Sequence, residues 1–136
     1  MTKGWIAGLI LAALLCPRDE LQGTWRPIEA ELGGTKLPES VIASWRLDLG
    51  DGKYVLKGAE SPDSGTVSTD ESKKPRTMDV TGTDGPNKGK TFPCIYELDG
   101  DTLRICYDLS GKKRPTEFKT EKGTKLYMVT YKRERK

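Results

Sequence analysis

The chain has 136 residues, enough for one domain with a core of its own, and 32% of them are charged, at a formal net charge of +3. Fifteen glycines and eight prolines suit a turn-rich β protein better than a disordered chain. Histidine is absent, which excludes Ser-His-Asp and Cys-His catalysis and removes the commonest metal ligand, and the three widely spaced cysteines match no zinc pattern.

Met1-Thr2-Lys3 is a short basic start, residues 4–15 (GWIAGLILAALL) form a twelve-residue apolar run, and Arg18-Asp19-Glu20 follow it. A bilayer span needs about 20 apolar residues, so the run is too short, while its length and flanks suit a secretory signal sequence. Residues 1–20 therefore read as a signal sequence or apolar leader and 21–136 as the folded domain, with an exported, periplasmic or membrane-associated location. A packed apolar helix in a cytoplasmic protein is the alternative. Cys16, directly after the run, is a candidate lipidation site that would attach the chain to a membrane, although Leu15 stands where a lipobox wants a small residue.

Trp25, Pro27 and residues 28–32 read as a first long strand that ends at Gly33-Gly34. Residues 38–43 suit one helical turn, with Pro38 near its start. Trp45, Leu47 and Leu49 alternate with Arg46 and Asp48 as a half-buried strand, Asp51-Gly52 turns it, and Tyr54-Val55-Leu56 returns. Residues 58–63 form a loop, 65–69 a weak strand with only Val67 to bury, and 77–82 a strand with Met78 and Val80 facing in. Residues 83–90 (TDGPNKGK) are dense in turn formers and lack the GxxxxGK[ST] spacing of a phosphate loop, so they read as a solvated loop.

Residues 91–109 (TFPCIYELDGDTLRICYDL) are a hairpin turned at Asp99-Gly100-Asp101. Parity puts Phe92, Cys94, Tyr96 and Leu98 on one face and Leu103, Ile105, Tyr107 and Leu109 on one face of the return strand. A shared core then pairs Leu98 with Leu103, Tyr96 with Ile105 and Cys94 with Tyr107. Cys106 falls with Thr102, Arg104 and Asp108 on the polar side. A one-residue slip would set Cys94 opposite Cys106 and permit a disulfide, but only by turning one apolar row outward, so the cysteines are expected free. Residues 110–115 form a basic loop, Thr116-Glu117-Phe118-Lys119 a short strand, and residues 125–133 the last strand.

Eight or nine closely spaced strands with one short helix and no βαβ alternation predict an all-β fold. Sequential hairpins of this kind close into a small antiparallel up-and-down β-barrel, which removes exposed strand edges. Charge is uneven along it. Residues 112–136 hold ten basic against three acidic side chains, a balance of +7, and the preceding 111 residues thirteen against seventeen, a balance of −4. Solvated faces account for this, and the sharper reading is a basic edge for an acidic partner or anionic lipid. No aromatic–basic RNA signature or recognition helix accompanies it, so no nucleic-acid partner is expected.

Leu21-Gln22-Gly23-Thr24-Trp25, the Asp51-Gly52 turn, Gly85-Pro86-Asn87-Lys88-Gly89-Lys90, Ile95-Tyr96-Glu97-Leu98-Asp99-Gly100-Asp101-Thr102-Leu103 and Arg114-Pro115-Thr116-Glu117-Phe118 together resemble a lipocalin-like domain family with many paralogues in planctomycete bacteria. The likeness runs over roughly residues 21–133, and the family has no established activity. A wider resemblance to lipocalins rests on Gly23-x-Trp25. In lipocalins this tryptophan packs at the closed end of the barrel under an arginine from the last strand. The resemblance therefore implies that Gly23, Trp25 and Arg133 close the barrel here, with Lys132 as the other candidate for the cover.

A barrel of this size has room for one small ligand. The leading expectation is a noncatalytic domain that binds a small apolar or amphipathic molecule, with Trp45, Tyr54, Tyr96 and Tyr107 lining the interior and a tyrosine hydroxyl orienting the ligand. It requires a cavity of at least roughly 300 Å³. The alternative is a protein-interaction or structural module with a filled barrel and a basic C-terminal surface. No enzyme activity, catalytic residue, cofactor or metal is expected: turn chemistry accounts for Asp99 and Asp101, whose two carboxylates fall short of the six to eight oxygens calcium takes, and Glu117 lacks a partner nucleophile.

Overall fold

The structure, a computed structural model, describes residues 20–135. The leader expected over residues 1–20 falls outside them except for Glu20, and Cys16 falls outside with it. Nine strands and one helical turn follow in the order β1 (Gly23–Leu32), β2 (Thr35–Lys36), α1 (Glu39–Ile42), β3 (Arg46–Gly50), β4 (Lys53–Lys57), β5 (Asp63–Asp70), β6 (Arg76–Asp84), β7 (Thr91–Asp99), β8 (Thr102–Asp108) and β9 (Leu126–Arg133). All pairings between them are antiparallel, and β9 pairs back onto β1. Strands β1 and β3–β9 thus make a closed eight-stranded up-and-down barrel, with β2 an extra strand folded back on the end of β1.

The β7–β8 hairpin has the expected register, with Leu98 opposite Leu103, Tyr96 opposite Ile105 and Cys94 opposite Tyr107. Cys94 and Cys106, the cysteines among the described residues, are free, Cys94 facing the interior and Cys106 the outside. The segment Thr116–Lys119 differs from expectation and forms no strand. It belongs instead to an irregular strap, residues 109–125, laid over the outside of the barrel. The strap buries Ile95 and Cys106, so the outward face of β8 is not the polar face its alternation suggested. The Cys106 thiol donates to the Lys119 carbonyl at 3.7 Å, and the Arg104 guanidinium lies 4.6 Å from the centre of the Phe118 ring.

Three polar clasps hold the strap down. Asp108, itself buried, accepts hydrogen bonds from the Ser110 amide and hydroxyl and from the amides of Lys112 (3.0 Å) and Lys113 (2.7 Å). Arg114 donates to the carbonyls of Met78 (3.1 Å) and Cys94 (2.8 Å) and pairs with Asp79 at 2.6 Å. Thr120 accepts from the Gly34 amide at 2.8 Å and donates to Glu31.

Trp25 plugs one end of the barrel and is fully buried. Its indole N–H donates to the Leu21 carbonyl at 2.9 Å, and the Arg133 guanidinium lies over the ring at 4.3 Å. Arg133 also donates to the carbonyls of Gln22 (2.6 Å) and Glu20 (2.8 Å) and to the Asp101 carboxylate (3.0 Å). One cation thereby ties the chain leading into β1, the β7–β8 turn and β9 to a single ring. A Cβ added at Gly23, whose φ is 142°, would lie 3.1 Å from Nη1 of this guanidinium and crowd it. The neighbouring Lys132 is exposed, so the covering role falls to Arg133 alone.

Two stability predictions follow from these polar anchors. Arg133→Ala removes a cation–π contact and three charge-assisted hydrogen bonds, and is expected to cost about 2–3 kcal/mol in urea denaturation, with Arg133→Lys recovering only part of it. Asp108→Ala is expected to cost about 2–4 kcal/mol, because it frees the backbone amides that anchor the strap. Burial raises the Asp108 carboxyl, but the Ser110 hydroxyl and the amides of Lys113, Ser110 and Lys112 outweigh it and hold the group below its ordinary range. Its stabilisation is therefore present above about pH 4 and lost as pH falls through the depressed value, so the parent should lose more stability on acidification than Asp108→Ala does.

Candidate functional site

Opposite Trp25, the barrel interior is not filled. A cavity of about 570 Å³ runs down from the other end, which is framed by Leu37, Ala59, Asn87, Lys90 and Lys125 from the connecting segments. Its walls are apolar, built from inward residues of β3, β4, β6, β8 and β9 such as Leu47, Leu56, Met78, Val80, Ile105 and Val129.

Two breaks in strand register decide what faces this space. In β1, Pro27 pairs with Tyr131 and Glu29 with Thr130, leaving Ile28 as an extra, bulged residue. The bulge reverses the parity beyond it. Ala30 is buried and Leu32 reaches the cavity, whereas an unbroken strand would have turned Glu29 and Glu31 inward. Between β5 and β6, Ser64 pairs with Asp84 and Gly65 with Gly82, so Thr83 is the extra residue. Gly65 leaves a gap that an aromatic ring occupies: a Cβ there would lie 1.9 Å from the Thr81 carbonyl oxygen and 2.8 Å from the Tyr54 ring.

Of the aromatic residues expected to line the interior, Trp45, Tyr54 and Tyr107 do so. Tyr96 does not: it faces inward opposite Ile105 but is packed solid in the core. The reason is depth, since Tyr96 lies near the β7–β8 turn at the plugged end, and residue parity carries no information about height along the axis.

The cavity also holds polar groups that pattern reasoning had not assigned to it. On one wall, Asp63 is buried at 8% exposure and accepts from the Tyr54 hydroxyl (3.1 Å) and the Asn87 amide (2.8 Å). Asp63 shares parity with Gly65 and Val67, so extending β5 by two residues would have exposed its inward direction. Nothing local marks Asn87. Its loop folds back on the sheet, with the Gly82 amide donating to the Lys90 carbonyl and the Gly89 amide to the Gly82 carbonyl, both at 2.9 Å. Only at a glycine is this approach open, since a Cβ at Gly82 would lie 2.1 Å from the Asn87 carbonyl oxygen. The segment is thus part of the site rather than a merely solvated loop.

On β9, four strands away around the barrel and so across from β5, Tyr127 and Tyr131 contribute the second polar region. The hydroxyls of Tyr107 and Tyr131 lie 3.2 Å apart, and the Tyr107 and Tyr127 rings are 5.4 Å apart and tilted by 31°. Among the described residues no three Cys, Asp or Glu side chains gather in a way that would hold a metal ion.

Burial raises the pKa of every tyrosine in the chain: Tyr54, where the Asp63 charge adds to it, Tyr96, Tyr107, Tyr131, and Tyr127, which is pushed up to about 12. At pH 10, where a free tyrosine is half ionised, the folded protein should show little phenolate absorbance in the near ultraviolet and the denatured chain a full half-titration. The same shifts stabilise the fold below pH 10, and that contribution is lost as pH rises from about 10 through 12, so alkaline unfolding should coincide with the appearance of phenolate. Comparison of the chain with protein-family models, with curated proteins and with solved structures finds no match in any of the three.

Proposed function

We propose that this barrel is a noncatalytic, lipocalin-like binding domain that takes up one small apolar or amphipathic molecule through its open end, in the cell envelope if the N-terminal leader acts as an export signal. The supporting observation is the cavity of about 570 Å³, which lies within the range of about 300–1,000 Å³ usual for small-molecule sites. Its mostly apolar wall with a few polar groups is the composition that lets burial drive affinity while hydrogen bonds set orientation. The filled barrel of the alternative reading lacks support beside such a cavity. Among the described residues, four of the basic C-terminal side chains also form ion pairs within the fold, Arg114 with Asp79, Lys119 with Glu117 and Glu121, and Arg133 and Arg135 with Asp101.

N-phenyl-1-naphthylamine, which fluoresces on leaving water, is a suitable probe. Titration should give saturable enhancement at one probe per chain. Val80→Phe, which places a ring in the cavity, should weaken binding by tenfold or more, about 1.4 kcal/mol, while leaving far-ultraviolet circular dichroism unchanged. Enhancement that never saturates, or that Val80→Phe leaves untouched, would defeat the proposal.

A further inference from the structure

Asp63 is a buried charged group set into the cavity wall, and both of its hydrogen-bond partners are neutral. Its two oxygens accept one hydrogen bond each, from the Tyr54 hydroxyl and the Asn87 amide. A carboxylate offers about four lone-pair positions, so acceptor capacity is left over on the cavity side. No lysine or arginine among the described residues comes within ion-pair distance of it. Lys90 and Lys125 stand at the mouth, exposed to solvent, where their charge is screened. A buried charge is costly without a counter-charge, and neutral hydrogen bonds compensate only part of that cost.

The fold nevertheless builds this arrangement with care. Gly65 clears the space for the Tyr54 ring, and Gly82 lets the loop return so that Asn87 reaches the carboxylate. Both neighbours are donors that fix the direction of the carboxylate without neutralising it.

We infer that the ligand is an amphipathic amine, whose ammonium group pairs with Asp63 while its apolar body lies against Met78, Val80, Ile105 and Val129. The inference rests on the binding reading above and names its ligand class. An ammonium in this position supplies the missing counter-charge to a carboxylate that is only 8% exposed, and a charge-assisted hydrogen bond is roughly twice as strong as a neutral one. An alcohol of the same length gains only a neutral hydrogen bond, and a carboxylic acid meets a like charge.

Competition against bound N-phenyl-1-naphthylamine with octylamine, octan-1-ol and octanoate tests this on the unmodified protein. Octylamine should displace the probe at a concentration about 10–100-fold lower than either of the others. Asp63→Asn should bring octylamine level with octan-1-ol, each displacement being read against that variant's own probe affinity. Lys90→Gln with Lys125→Gln should leave the amine preference in place. Equal displacement by all three compounds, a preference for octanoate, or an amine preference that survives Asp63→Asn would each overturn the inference while leaving the binding reading intact. Absence of saturable probe binding in the parent would overturn both. Should Asp63→Asn fail to fold, the order of the three competitors on the parent still decides.

Discussion

Along β1, Trp25 pairs with Arg133 and Leu32 with Tyr127, and this seam with β9 is what turns a meander into a barrel. Without it, two strands would each present an unpaired edge of backbone donors and acceptors to solvent. The seam joins the beginning and the end of the folded domain, so its closure is the least local step in the structure. The Trp25–Arg133 stack sits at one end of it and also holds the Asp101 turn and the incoming chain. A flat aromatic face beneath a planar guanidinium suits this position, because the guanidinium has donors left over to collect carbonyls from chain segments far apart in sequence.

Closing one end with solid packing allows the other end to stay open. Trp25, Tyr96 and Leu103 are buried almost completely and supply the packed core, while the other end keeps a cavity whose lining atoms forgo contacts they would have in a filled interior. Stability and binding capacity are thereby separated along the barrel axis. The bulge at Ile28 serves the open half: by reversing parity it removes Glu29 and Glu31 from the interior and supplies Ala30 and Leu32 instead.

The strap over 109–125 is a second, smaller burial on the outside of the same sheet. It covers Ile95 and Cys106 and is anchored at Asp108, at Arg114 and at Thr120. At Ile95 of β7 and Cys106 of β8 the sheet therefore has protein on both faces. Of the basic side chains in this part of the sequence, Arg114 pins the strap to Asp79, while Arg133 and Arg135 pair with Asp101 at the plugged end of the barrel.

The up-and-down succession of the main strands, the hairpin turns and the register of β7 on β8 were legible in the amino-acid sequence, apart from β2 and the strand expected at 116–119, and the closing pair was implied by the resemblance of Gly23-x-Trp25 to lipocalins, with Arg133 and Lys132 both open. All of them depend on alternation over a few neighbouring residues, on Asp-Gly turns, or on one tryptophan with its glycine. What lines the cavity was legible only in part. Parity tells inside from outside but not top from bottom, so Trp45, Tyr54 and Tyr107 were found at the cavity and Tyr96 was misplaced. Asp63, Asn87, Tyr127 and Tyr131 came together only when distant strands and a returning loop closed on one space, and the burial of Cys106 and Asp108 awaited a strap with no periodicity of its own. Local pattern determines which side of a strand is apolar, whereas the height of a residue in the barrel and the partner it meets across it depend on the shear of the whole sheet, which no short stretch of chain contains.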